Sequence, residues 1–322
     1  MVLVTGANGF VGAAVVATAV KRGVHIRAAV RRPVESACAD VEYAIGQSLS
    51  ADADWTAALA GVEAVVHTAA RVHVMKDPAS DPLHEYRRAN VAGTVRLARQ
   101  AAAAGVQRFV YVSSIKVNGE RTRLGRPFRA VDTPAPVDPY GISKHEAEIA
   151  LHEVGRETGL EVVVIRPVLV YGPGVKANFA AMMRWLQWAV PLPLGAIHNK
   201  RSLVGLDNLV DLILVCVAHT AAVGQTFLVS DDEDLSTTEL LTRMSLALDV
   251  SPRLVPVSES FLRFATQVVG RQDLGRRLFE SLQVDIEPTK SVLAWKPPVT
   301  VDEELRVTAE DLLRRTKHSR SR

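Results

Sequence analysis

The sequence is short of the features that mark out several special classes of protein. Only 5% of its 322 residues are aromatic and the formal net charge is +3, so neither a stacking platform nor a strong electrostatic footprint for nucleic acid is present. Two cysteines, Cys38 and Cys216, stand far apart and match no metal-ligand spacing. That suits a reducing compartment in which thiols stay free, and no metal site is expected. The most apolar later run, Leu209 to Ala218, is too short to span a bilayer. The chain opens on Val2-Leu3-Val4 and reaches Gly6 without the charged region, long apolar stretch and cleavage site of a secretory leader. A cytoplasmic protein with neither membrane nor nucleic acid among its partners is expected. Charge crowds only at the end, where Arg314, Arg315, Lys317, Arg320 and Arg322 read as a solvated tail left by a fraying helix.

An apolar fraction of 48% and a charged fraction of 23% are ordinary globular values, and the length can bury a substantial core. Short β-branched runs alternate with alanine-rich helical patterns: Val2 to Thr5, Ala13 to Lys21, His25 to Val30, Ala64 to His67 and Phe109 to Ser113. Such alternation implies βαβ units and a parallel sheet covered on both faces. Asp81-Pro82 opens a helix running towards Ala104, with Gly105 as its stop, and Asp138-Pro139 opens another to about Thr158, stopped by Gly159 and followed by the strand Val162 to Ile165. After Pro167 the alternation breaks into segments such as Tyr171-Gly172-Pro173-Gly174 and Pro191-Leu192-Pro193-Leu194-Gly195. The expected fold is α/β: a doubly wound parallel Rossmann sheet over residues 1–167 and 206–230, with a smaller substrate-binding lobe over 168–205 and 231–322.

Three patterns carry chemistry. Gly6, Gly9 and Gly12 lie in Thr5-Gly6-Ala7-Asn8-Gly9-Phe10-Val11-Gly12, directly after the first strand and at the start of a helix. Glycine is needed where the turn is tight, where backbone approaches a pyrophosphate and where helix meets strand, while the helix start offers N–H groups to the anion. Tyr140 and Lys144 are four apart just inside the second Asp-Pro helix, so they share a face, and an ammonium there favours a phenolate whose ordinary pKa is about 10. The strand end Tyr111-Val112-Ser113-Ser114 delivers a hydroxyl to the edge where doubly wound folds bind ligands, positioned to hydrogen-bond a substrate oxygen.

Together, Ser114, Tyr140 and Lys144 on a glycine-rich nucleotide fold resemble the extended short-chain dehydrogenase/reductase family, also described as the NAD-dependent epimerase/dehydratase family. The resemblance covers nearly the whole chain. It implies that Asn8, Phe10 and Val11 join the glycines around the cofactor, that His67-Thr68-Ala69-Ala70 runs beside the nicotinamide ribose, and that Asn90 is a structural asparagine. Arg166-Pro167 followed by Val170-Tyr171-Gly172-Pro173 is similar to the strand that leaves the family's catalytic helix. Arg71, Ser114, Lys116, Asn178 and Arg201 fall where relatives hold the nucleotide sugar, Arg201 as a phosphate clamp. The family also implies a homodimer through helices around residues 82–104 and 139–158.

Departures from the family narrow the reading. Related dehydratases follow the catalytic hydroxyl with Asp and Glu, but Ile115 and Lys116 stand here, and isoleucine transfers no proton. The second strand ends in Val30-Arg31-Arg32 without the carboxylate usual for NAD, so Arg31 and Arg32 point to NADP in preference to NAD. The adenine-side acid is replaced by Ser48 or Gln47, and Leu169 stands where a galactose epimerase would carry Asn. The segments Ser113 to Glu120, Gly174 to Phe179 and Asn199 to Val204 look most like a bacterial 4-epimerase-like branch. The expected function is NADPH-dependent reduction of a UDP-4-keto-6-deoxy-N-acetylhexosamine for surface polysaccharide such as O-antigen. The alternative is a UDP-hexose 4-epimerase with resident NAD. A non-catalytic nicotinamide-sensing regulator is the alternative of another class, disfavoured because Tyr140 and Lys144 are both present.

Overall fold

The alternation of apolar strands and small-residue helices builds the expected layers in the computed structural model, which describes residues 1–34, 38–46, 48–72, 81–268, 270 and 272–320. Gln47 and Arg322 lie outside the described residues, as do the side chains of Lys317 and Arg320. The first part of the chain runs β1 (Val2–Thr5), α1 (Phe10–Lys21), β2 (Ile26–Val30), β3 (Val41–Ile45), α2 (Thr56–Leu59), β4 (Ala64–His67), α3 (Pro82–Tyr86), a π-helical turn (Arg87–Gly93), α4 (Thr94–Ala103), β5 (Arg108–Val112), a 3₁₀ turn (Ile115–Val117), α5 (Pro139–Thr158) and β6 (Glu161–Pro167). It continues with β7 (Leu169–Tyr171), α6 (Ala177–Gln187), β8 (Arg201–Gly205), α7 (Leu206–Ala218), β9 (Thr226–Val229), β10 (Asp234–Leu235), α8 (Thr237–Ala247), α9 (Glu259–Val268), α10 (Gln272–Phe279), α11 (Glu287–Leu293) and α12 (Val301–Arg320). Among the described residues no helix is long and apolar enough to cross a membrane.

Seven strands pair in parallel in the order β3-β2-β1-β4-β5-β6-β9, the doubly wound arrangement with its crevice at the carboxyl edge of β1 and β4. The period of two explains why β1 is buried throughout. Val2 and Val4 enter the core shared with α1 and α7, while Leu3 enters the opposite core with Leu97, Leu151 and Val154 of α4 and α5. The stretch from Leu206 to Val229 returns to this sheet as α7 and β9, as the sequence implied. A second sheet, β10-β8-β7, packs Leu203 and Leu235 with Tyr171, Phe179, Leu241 and Leu305 in a third core.

The two Asp-Pro signals act as read. Asp81 accepts from the His84 N–H at 3.1 Å and Asp138 from the Gly141 N–H at 2.6 Å, each with proline inside the first turn. Gly159 stops α5 with φ +78°. The helix expected from residue 82 towards 104 runs unbroken to Ala103, with its middle wound as the π turn between α3 and α4. Within that turn Asn90 faces inward, 1% exposed, and Gly93 sits so close to the Leu49 backbone that a Cβ would fall 2.8 Å from its carbonyl carbon.

A buried ion pair ties α5 to the sheet. Arg166, at the end of β6, donates to Glu148 of α5 through Nε at 3.0 Å and Nη2 at 2.6 Å, and the Ser113 hydroxyl donates to the same carboxylate. Both charged side chains are almost wholly enclosed. Arg166→Met strands the Glu148 carboxylate and is expected to cost about 3–5 kcal/mol in urea unfolding at neutral pH. A loss below about 1 kcal/mol, the range of exposed pairs, would mean that the pair is not a structural tie.

His67, at the end of β4, lies with Nδ1 2.6 Å from the Thr5 hydroxyl and Nε2 2.9 Å from the Thr94 hydroxyl. Burial, reinforced by the Lys144 ammonium, pushes its pKa down to about 3. The unfolded chain binds this proton below its ordinary value of 6.5 and the native chain does not. The contribution is therefore full above pH 6.5 and is lost as pH falls from 6.5 towards 3. His67→Gln is expected to flatten the dependence of the unfolding midpoint on pH between 6.5 and 4; an unchanged slope would assign the acid lability to other groups.

Candidate functional site

The carboxyl ends of β1, β4 and β5 lie side by side, and the loops leaving them assemble one site. Gly6 takes φ +68°, and a Cβ there would meet the Ala69 N at 2.8 Å, so the loop after β1 is pressed against the loop after β4. A Cβ on Gly12 would stand 2.2 Å from the Gly6 carbonyl oxygen; only glycine lets α1 begin this close to the turn. The Gly9 N–H closes the turn on the Gly6 carbonyl at 2.7 Å. Helix α1 then starts at Phe10 with no side-chain cap and no acidic residue in its first turn, leaving its positive end open to an anion. This cradle of Gly6, Asn8, Gly9, Phe10, Val11 and Gly12 fits a dinucleotide diphosphate.

Ser114 follows β5, and Tyr140 and Lys144 occupy successive turns of α5. The Ser114 hydroxyl lies beside the Tyr140 phenol, near enough to favour its ionised form. Lys144 donates from Nζ to the Val112 carbonyl at 2.8 Å and sits 4.4 Å above the Tyr111 ring and 5.9 Å from the Tyr140 ring. Burial pushes Lys144 down to about 7, while Glu148, one turn along α5, draws it back up. Burial raises the Tyr140 phenol above its ordinary value, the Asp138 carboxylate and Tyr86 raise it further, and the Ser114 hydroxyl lowers it. Two hydroxyls and an ammonium so placed are equipped to move a proton at one substrate oxygen.

Asn90 orders the opposite wall. Its Oδ1 accepts from the Arg71 N–H at 2.7 Å, and its Nδ2 donates to the Arg71 carbonyl at 3.0 Å and to the Ser143 hydroxyl at 3.0 Å. Ser143 in turn donates to the Tyr140 carbonyl at 2.8 Å. Ala69, Ala70 and Arg71 are thereby held near the first turn of α5, with the Arg71 guanidinium 5.5 Å from the Tyr86 ring and that ring edge-on to Tyr140. Arg31 and Arg32 are exposed at the end of β2, beside the glycine loop strand, and Ser48 is exposed on the loop after β3.

Asn178 and Arg201 stand on other elements, at the start of α6 and of β8. Asn178 is exposed on a helix without a side-chain cap. Arg201 is half-buried and donates to the Glu280 carbonyl at 3.1 Å. Lys116 is engaged within the protein, by Asp138 and by Glu120 at 3.5 Å.

Sequence reasoning missed three supporting residues. Tyr111 reads in the sequence only as part of a strand, although an aromatic one residue before the strand end is placed to underlie Lys144. Glu148 follows Lys144 by one helical turn, a spacing that could have been read. Arg315 is 58% exposed, as the solvated-tail reading expects, but it also has partners that the sequence did not announce. Its Nε pairs with Asp311 at 2.8 Å, Asp311 accepts from the Gly174 N–H at 2.8 Å, and the Arg315 guanidinium and the Phe10 ring both lie within 4 Å of the Cβ position of Gly174.

A model of the NAD dependent epimerase/dehydratase family matches residues 2–230. The UDP-glucose 4-epimerase of Vibrio cholerae is 46% identical over 314 residues, covering 97% of this chain and 95% of that protein. Two solved structures share the fold. UDP-glucuronic acid 4-epimerase from Bacillus cereus, in complex with NAD, gives a TM-score of 0.77 at 16% identity over 97% of this chain and 98% of that one. UDP-glucose 4-epimerase from Thermotoga maritima, with UDP-glucose, gives 0.73 at 23% identity over 98% and 99%. With its glycine cradle and its serine, tyrosine and lysine on one sheet edge, the chain belongs to the NAD dependent epimerase/dehydratase family.

Proposed function

We propose that the protein interconverts hydroxyl and ketone at C4 of the sugar in a UDP-sugar. The observation that carries the reading is the trio at the edge of β5: a Tyr140 phenol beside the Ser114 hydroxyl and followed one turn later by a buried Lys144. The chemistry supplied by a bound nicotinamide dinucleotide is hydride exchange with C4. The chain's residues do the rest. Tyr140 exchanges a proton with O4, Ser114 hydrogen-bonds that oxygen, and Lys144 favours the phenolate and binds the nicotinamide ribose. The glycine cradle holds the diphosphate, Ser48 lies on the adenine side, and Ala69 and Ala70 flank the ribose. Arg71 with Asn178 and Arg201 receives the nucleotide sugar, the last two from a lobe of residues 168–205 and 231–322. Ile115 is 5% exposed and apolar, so the place of a dehydratase acid holds no proton donor.

Two overall reactions use this machinery. The 46% identity to a UDP-glucose 4-epimerase along almost the whole chain favours an epimerase that oxidises and re-reduces C4 on one resident cofactor. The exposed Arg31-Arg32 pair ending β2 without a carboxylate favours NADPH, and with it reduction of a UDP-4-keto-6-deoxy-N-acetylhexosamine. In either case the enzyme works in the cytoplasm on sugars for surface polysaccharide such as O-antigen. The exposed face of α5 around Ile149 fits a homodimer seam with residues 82–104.

Tyr140→Phe is expected to lower kcat by roughly 10²–10⁴-fold while cofactor affinity, followed by fluorescence titration, stays near wild type; full activity would end the proposed role of the trio. Interconversion of UDP-hexoses without added cofactor, followed by NMR, identifies the epimerase. Consumption of NADPH with the keto sugar identifies the reductase. Arg31→Ala/Arg32→Ala is expected to raise KM for NADPH and leave that for NADH unchanged, and equal effects on both would remove the 2′-phosphate contact.

A further inference from the structure

We infer that Lys116 is a positioning residue: it neutralises Asp138 and fastens the start of α5 to the Ser114 turn, setting the electrostatic environment of Tyr140. The inference rests on Tyr140 being the acid–base group. Lys116 stands two residues after Ser114, in the 3₁₀ turn 115–117, where its N–H donates to the Ser114 hydroxyl at 3.2 Å. Its ammonium is bonded to Oδ2 of Asp138, the residue two before Tyr140. The other oxygen of that carboxylate caps α5 through the Gly141 N–H at 2.6 Å. One carboxylate thus joins the turn that carries Ser114 to the helix that carries Tyr140.

Backbone contacts close the same joint. The Ala135 N–H donates to the Val117 carbonyl at 2.9 Å, and a Cβ on Gly141 would lie 2.9 Å from the Lys116 carbonyl oxygen. The first turn of α5 therefore rests on the backbone of Lys116, and the side-chain pair locks an approach already too close for anything but glycine.

Charge gives the joint a second consequence. The groups around Tyr140 are Asp138 and Lys144 on its own helix, Ser114 and Tyr111 from β5 and its turn, Tyr86 from α3 with the Arg71 guanidinium over its ring, and the Glu120 carboxylate beside Lys116. The Asp138 carboxylate opposes ionisation of the phenol. Lys116 offsets it at its own oxygen. Removing the ammonium exposes Tyr140 to the full carboxylate, whereas removing the carboxylate relieves it, and the two changes act in opposite directions.

The experiment records kcat and KM against pH for wild type, Lys116→Met, Lys116→Arg, Asp138→Ser and the double variant Lys116→Met/Asp138→Ser. The substrate is the UDP-sugar that the wild type turns over. Serine keeps an oxygen for the cap while removing the charge. The ionisation assigned to Tyr140 is expected to move up by roughly 0.5–1 pH unit in Lys116→Met and down in Asp138→Ser. It should return towards wild type in the double variant and stay in place in Lys116→Arg. Shifts in the same direction, or none, overturn the proposal. A tenfold rise in KM for the sugar in Lys116→Met, without any such effect in Asp138→Ser, would also overturn it and assign Lys116 to substrate contact. Should Tyr140→Phe retain turnover, the reading of Tyr140 itself fails; an inactive Tyr140→Phe with unmoved profiles removes only the role of Lys116. If Lys116→Met does not fold, Asp138→Ser and Lys116→Arg still decide the sign.

Discussion

The demand that shapes this structure is that Lys144 be buried and still serve as a cation. Only 1% of the residue is exposed, and such burial opposes the charged form. The protein answers with the Val112 carbonyl, the face of Tyr111 and the Glu148 carboxylate one turn away. Glu148 is itself buried and needs partners, which Arg166 and Ser113 provide; Arg166 then extends to the Asn118 Oδ1 at 2.9 Å. One charge placed for chemistry thus propagates into a network spanning β5, β6, α5 and the loop after Ser114. Each charged member is satisfied only because the next is in place, the condition under which a buried polar network specifies a single arrangement.

A second network joins the two sheets. Asp231, just beyond β9, accepts from the Tyr171 hydroxyl at 2.8 Å, the Asn208 amide at 2.7 Å and the Gly205 N–H at 2.7 Å. Tyr171 ends β7 of the smaller sheet and Asn208 opens α7, which packs under the larger one. Beside them Glu304 of α12 is fully buried and pushed up to about 8, by burial first and then by Asp207 and Asp231. Its Oε1 accepts from the Leu206 N–H at 3.2 Å, so the uncapped start of α7 is closed by a residue nearly a hundred positions later.

What could be read from the sequence was what depends on neighbours in the chain. The glycine loop follows its strand at once, Tyr140 and Lys144 share a helical face, and both Asp-Pro caps declare themselves by spacing; each stands where it was expected. The smaller sheet was not legible as a sheet, because its pairing joins Ser202 to Asp234 and Leu169 to Leu203, partners that no local periodicity connects. Lys116 shows the same limit. A lysine two residues after Ser114 reads as a hand for the sugar, and only the fold adds Asp138, from the far end of a long loop, as a partner within the protein. Arg315 was judged by its basic neighbours in sequence, whereas its surroundings are set by Asp311 and by the approach of Gly174 and Phe10.

The π turn at Arg87–Gly93 bears on how this chain can change over evolutionary time. A π turn holds one residue more than the α turn it replaces, and here that extra residue sits in the stretch that sends Asn90 inward to the Arg71 backbone and Ser143. Loss of one residue between 87 and 93 would restore α spacing with α3 and α4 still in phase, and would remove the bulge that holds Asn90 in place. Asn90 would then leave its place between the Arg71 backbone and Ser143, while the apolar face of α4, with Leu97 and Ala101, kept its packing. The extra residue therefore serves the wall of the site and not the packing of α4: a single-codon deletion here would alter the site while leaving the helix layer in place.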